Sequence, residues 1–135
     1  MDRLVAPLIG GIETMSEHLL SALRERGYHL HVVTSHSGAA LPDRDTWAGI
    51  PVTRLHMLTA LTQRDLKLMA ATRAALSAIK RDFQPDLAHI QFSGPSSLFH
   101  WDTLSAYPTH TLVTLHSVPA QRASARSLVL GTLQK

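Results

Sequence analysis

The chain has 135 residues, 44% of them apolar and 17% charged, with a formal net charge of +3. That is one ordinary domain with enough apolar material for a packed core, which excludes a disordered chain. There is no cysteine, so neither a disulfide framework nor a thiolate metal site is available, as suits a reducing compartment. No apolar run has the length of a membrane span, and no charged-then-apolar leader opens the chain. Lysines and arginines are scattered and aromatics make up only 5%, which argues against a nucleic-acid partner.

Along the chain, helical and strand patterns alternate. Ile12, Met15, Leu19 and Leu23 recur at helical spacing, with Gly27 as the stop. "HLHVVT" from His29 to Thr34 reads as a buried strand, Ser35 to Trp47 as a loop, and "IPVTRL" from Ile50 to Leu55 as a second strand. The next helix is expected near Thr62, with Asp65 at capping-box spacing and Leu68, Thr72, Leu76, Ile79 and Phe83 on its buried face. Pro85 ends it. "DLAHIQF" from Asp86 to Phe92 is a third strand, and "SGPSSLFHW" turns into a short helix capped by Ser93 or Ser96. "HTLVTLH" from His110 to His116 is a fourth strand, and a last helix is expected from Pro119.

Strands separated by helices imply βαβ units and a parallel, Rossmann-like α/β sheet. Ligands of such sheets bind beyond the C-terminal strand ends. Three polar clusters fall there: Ser35 to Ser37, His89 to Ser93, and His116 with Ser117. At the start of the first helix, "PLIGGIE" places Gly10 and Gly11 where backbone N–H groups are free and the helix end is partly positive. Residues without side chains admit a phosphate or sugar to that backbone. A turn needing positive φ explains the same glycines equally simply. The G-x-G-x-x-G fingerprint is absent, so a dinucleotide is not expected.

Other candidates carry less. His29 and His31 share a strand face and His36 follows, but no carboxylate stands at ligand spacing, so no metal is expected. His18 and His56 read as surface residues, and Asp43, Arg44 and Asp45 as a solvated loop. Arg122 and Arg126, one helical turn apart, read as a solvated helix face.

"PLIGGIE" resembles the N-terminal loop of retaining glycosyltransferases of the GT-B fold, in the large family-four group. In order along the chain, "LLSALRERGYHLHVVTS", "GIPVTRL", "FQPDLAHIQ" and "LVTLHS" resemble that group's first helix and second strand, third strand, Pro-Asp-x-x-His strand and Thr-x-His strand end. The resemblance implies transfer of a sugar from a nucleotide-sugar donor to an acceptor, with retention and without a metal or other cofactor. Gly10 and Gly11 would border the donor diphosphate. His116 would lie near the transferred sugar as the catalytic-site histidine. Glu13 would sit in the first helical turn, as a helix-start residue or a substrate contact. His89 would either face the cleft or hydrogen-bond within the sheet. Gln91 stands where the family often has histidine, and Ser117 where it often has Asp or Glu. Both departures bear on acceptor recognition.

The resemblance also implies parts beyond this chain. The family opens with an apolar strand, of which Arg3 to Ala6 offers only a stub. That strand is central, between the second and the fourth. Without it, unpaired backbone groups cost on the order of 1–3 kcal/mol each. Their sum reaches a domain's whole stability of roughly 5–15 kcal/mol. A second Rossmann-like domain would hold most of the nucleotide. Residues 1–135 therefore read as one incomplete N-terminal domain, inactive alone and cytoplasmic. Peripheral membrane contact is compatible with a lipid-linked acceptor but not indicated by any basic amphipathic helix. Two other readings stay open: another Rossmann-like nucleotide-binding module, and a non-catalytic remnant acting by association through an exposed strand edge.

Overall fold

The computed structural model describes residues 11–36, 40–91 and 95–115. Helices and strands alternate in the order α1 (Gly11–Glu25), β1 (Val32–Ser35), β2 (Arg44–Trp47), β3 (Ile50–Leu55), α2 (Met57–Thr62), α3 (Leu66–Phe83), β4 (Leu87–Ile90), α4 (Pro95–Asp102) and β5 (His110–Val113). β1 and β3 pair in parallel, with Val32 opposite Val52 and Ser35 opposite Leu55. β4 and β5 also pair in parallel, with Leu87 opposite His110. β4–α4–β5 is a βαβ pairing of the kind the alternation predicts, whereas β1 reaches β3 through β2 with no helix between them. The stub at Arg3 to Ala6, the cap residue Ser93 and the helix from Pro119, with Arg122 and Arg126, lie outside the described residues.

Local chemistry explains the element ends. α1 stops where Gly27 takes φ +87°. There the Gly27 N–H donates to the Arg24 carbonyl at 2.9 Å and the Tyr28 N–H to the Leu23 carbonyl at 3.1 Å, closing the last turn. The long helix starts later than Thr62. Asp65 is its N-cap, and the carboxylate accepts from the Leu68 N–H at 3.0 Å. Thr62 instead closes α2, its hydroxyl donating to the Leu58 carbonyl at 2.9 Å. Between the two helices Arg64 takes a left-handed φ of 50°, which breaks the helical path. Ser96 lies inside α4 and is not its cap.

The segment read as a loop up to Trp47 contains β2, which runs antiparallel to β3 with Trp47 opposite Ile50. Ala48 and Gly49 form the connecting turn, with φ of 49° and 78°. Positive φ at both positions suits the right-handed twist of a hairpin. A Cβ at Gly49 would also meet the end of the flexible Arg24 side chain at 2.6 Å, which would have to shift. Ala48 holds the same kind of backbone with a side chain that disfavours it.

Ile50 and Val52 of β3 are buried, as are Met57, Ala60, Leu76 and Phe99, which cluster between the helices. On α3, Thr72 and Leu76 are buried, while Leu68, Ile79 and Phe83 are half-buried. The core also takes in polar groups. The Lys80 ammonium donates to Thr103 Oγ1 at 2.7 Å and to the His100 carbonyl at 3.3 Å. His100 Nε2 meets Thr111 Oγ1 at 2.8 Å, tying α4 to β5. Burial pushes Lys80 down to about 8. Burial, and then the neighbouring Lys80 charge, pushes His100 down to about 4. Buried Arg54 reaches Asp45 Oδ2 at 3.2 Å and the Pro42 carbonyl at 3.1 Å.

The strands form two separate sheets, β1-β3-β2 and β4-β5. β1 and β4 are thus each paired on one side only among the described residues. Both line a groove of about 470 Å³, whose other walls are α1 and α3.

Two outcomes follow for stability. Ala48→Gly removes the left-handed strain and raises the unfolding free energy by about 0.5–1 kcal/mol, read by urea denaturation. The His100 contribution is fully present above the ordinary histidine value of 6.5 and is lost as pH falls towards about 4, because only the unfolded chain takes up the proton in that window. The loss is of order 3 kcal/mol. Urea midpoints at pH 7 and pH 4.5 should fall clearly further in the native sequence than in His100→Gln.

Candidate functional site at the strand ends

Parallel pairing brings the C-terminal ends of β1 and β3 together, and those of β4 and β5. At the second pair, Gln91 follows β4, and the Thr114 N–H donates to the Ile90 carbonyl at 2.8 Å, extending the ladder one residue beyond β5. The Ser16 hydroxyl donates to Gln91 Oε1 at 2.6 Å. This bond docks the second turn of α1 on the end of β4. Gly11, the first residue of α1, is five residues away. At the helical rise that is roughly 7–8 Å along the axis. The α1 N-terminus, with the partial positive charge of a helix start, therefore lies one turn beyond the bond that ties α1 to the end of β4.

His89 lies on β4, exposed at its side chain, and lines the groove together with Gln91. Its Nε2 meets Thr114 Oγ1 at 2.7 Å, across the β4–β5 pair. The in-sheet hydrogen bond is thus made from a groove-lining position. Gln91 is half-buried and uses its oxygen on Ser16. Glu13 falls in the first turn of α1. Gly10, His116 and Ser117 lie outside the described residues, as does Ser37. His89 and Gln91 thus lie at the end of β4, and Gly11 and Glu13 lie in the turn of α1 before the docked Ser16.

At the end of β1, Ser35 Oγ accepts from the Leu58 N–H at 3.0 Å, bracing the first turn of α2. His36 does not join His29 and His31. Those two rings pack on Phe83 at centroid distances of 5.0 and 5.5 Å, and His31 Nε2 meets Thr53 Oγ1 at 2.9 Å. Burial, then the charge of Arg44, lowers the His31 pKa. His36 instead stacks on His56 with centroids 4.3 Å apart, and its Nε2 lies 2.6 Å from Asp43 Oδ1. Asp43 and His56, read as loop and surface residues, are thereby partners of His36. No sequence spacing announces that grouping, because strand register creates it.

Chemically, this end of the fold offers serine, threonine and glutamine groups that both donate and accept, imidazoles, and a helix N-terminus. Such groups suit sugar hydroxyls and a phosphate. No helix among the described residues is long and apolar enough to cross a membrane.

A family model described as Glycosyltransferase Family 4 matches residues 9–133. Neither the curated proteins nor the solved structures give a significant match. Nearly the whole chain is covered by the family model, from the glycine loop through β5. This α/β chain therefore belongs to glycosyltransferase family 4, whose domain is of the Rossmann-like GT-B type.

Proposed function

We propose that the chain is the N-terminal, acceptor-side domain of a glycosyltransferase that moves a sugar from a nucleotide-sugar donor to an acceptor with retention at the anomeric carbon. The family match over residues 9–133 carries this reading. Docking of α1 on the end of β4 through Ser16 and Gln91 supports it, because that contact brings a helix N-terminus to the ligand end of the sheet.

In this reading Gly10 and Gly11 border the donor diphosphate. The α1 N–H groups stabilise the negative charge that develops on it as the bond to the sugar breaks. The acceptor oxygen bonds to the anomeric carbon, and its proton leaves with the diphosphate. His116 lies beside the transferred sugar. Gln91, Ser117 and His89 offer hydrogen bonds to sugar or acceptor hydroxyls, and Glu13 supports the helix start or touches substrate. The transfer needs no metal ion or organic cofactor. A second Rossmann-like domain supplies most nucleotide contacts, so these 135 residues alone turn over no donor. The cysteine-free composition fits work in the cytoplasm, at the membrane surface where the acceptor is lipid-linked.

The test uses a panel of nucleotide-sugars bearing uridine, guanosine or adenosine diphosphate. The chain alone should release no nucleoside diphosphate above background. Joined to its nucleotide-binding second domain, it should transfer sugar, and Gly11→Val or His116→Ala should lower kcat by about 10²-fold or more. Turnover by the chain alone contradicts the divided site. Full activity in both variants contradicts the assigned residues.

A further inference from the structure

We propose that His36, Asp43 and His56 form a binding site for a zinc-class divalent cation. Three strands build it. Ser35 is opposite Leu55 in the parallel pair, so His36 and His56, each one residue further on, emerge side by side. β2 runs antiparallel to β3 with Arg44 opposite Thr53, so Asp43, one residue before β2, arrives at the same end. Main-chain bonds fix all three positions. The His36 N–H donates to the Leu55 carbonyl at 3.0 Å, the Arg54 N–H to the Asp43 carbonyl at 2.7 Å, and the Ala60 N–H to the His56 carbonyl at 3.0 Å.

The side chains converge as well. Both imidazole Nε2 atoms approach one carboxylate oxygen, Asp43 Oδ1, at 2.6 Å from His36 and 3.9 Å from His56. One ligand atom from each residue lies within 4.8 Å of the others. Zinc–nitrogen and zinc–oxygen bonds of about 2.0–2.2 Å put neighbouring ligands roughly 3.3 Å apart in a tetrahedral shell. The observed separations straddle that value; the two imidazoles stack with 19° between their planes, so binding requires one ring to turn until both Nε2 atoms face the ion. The ion takes the place of the proton between His36 and Asp43. Two imidazoles and one carboxylate, with no thiolate, select zinc or a similar borderline cation over magnesium or calcium.

Exposure and charge agree with an exchangeable ion. His36 is nearly buried, at 9% exposure, whereas Asp43 and His56 are 73% and 50% exposed. One ligand is thus anchored and two border solvent, which leaves coordination positions for water. The guanidinium of Arg54 is directed to Asp45 and the Pro42 carbonyl and does not compete for Asp43.

The test is a titration of the purified, metal-free chain with Co²⁺, followed by its visible absorption, with Zn²⁺ as competitor. The native sequence should take up one Co²⁺ per chain, displaced by Zn²⁺. His56→Gln and Asp43→Asn change exposed side chains. Each should weaken binding by about tenfold or more while leaving the far-ultraviolet circular dichroism unchanged. His29→Gln should bind as the native sequence does. The proposal is overturned by absence of uptake at millimolar Co²⁺, by uptake that survives both ligand variants, or by its loss in His29→Gln.

Discussion

Strand pairing is the constraint on which the rest of this molecule depends. β1 and β4 are four-residue strands, each hydrogen-bonded on one side only among the described residues, and both line the same groove. Backbone N–H and C=O groups along such edges need water or another partner. Among the described residues no sheet hydrogen bonds therefore join the two halves; helices do. Met57, Ala60, Leu76 and Phe99, from α2, α3 and α4, pack as one cluster, with Val33 of β1 and Leu55 of β3 against it. The Ser16–Gln91 bond adds a polar tie from α1 to the end of β4.

That arrangement explains why the core is so polar. A small interior spanning two half-sheets cannot be closed by aliphatic side chains alone, and Lys80, His100 and Thr103 are buried in it. Their mutual hydrogen bonds offset part of the desolvation cost and link α3, α4 and β5. The cost that remains appears in the depressed Lys80 and His100 values. The same scaffold sets the functional end. Parallel pairing gathers polar residues at the C-terminal ends of two strand pairs, and α1 points its N-terminus towards one of them. The groove wall and the polar strand end thus share residues, because Gln91 and His89 line the groove and stand at the end of β4.

Much of this was legible in the sequence because it is written in local signals. Gly27 ends α1, "IPVTRL" coincides with β3, and the face of α3 follows from the spacing of Leu68 to Phe83. The alternation of elements and the order of the family motifs gave the fold class. Features that depend on non-local pairing were not legible. β2 is a short polar segment, "RDTW", with no apolar alternation, and it becomes a strand only by pairing with β3 across the Ala48–Gly49 turn. Thr62 and Asp65 both resemble caps. Which one wins is decided by the left-handed backbone at Arg64. The trio of His36, Asp43 and His56 is spread over 21 residues of sequence and exists only because of strand register. Gly11, Glu13, His89 and Gln91 were singled out by motif, and only the structure shows that α1 is tied to the end of β4.

Amide hydrogen exchange of the native chain tests most directly the claim that helices hold the two sheets together, with β1 and β4 each paired on one side only among the described residues. β3 is paired on both sides, and its amides should be the slowest among the strands. In β1 and β4, the amides directed at the groove should exchange orders of magnitude faster than those bonded to β3 and β5. Uniformly slow exchange through β1 and β4 would contradict the account, because every amide on both edges would then have a hydrogen-bond partner.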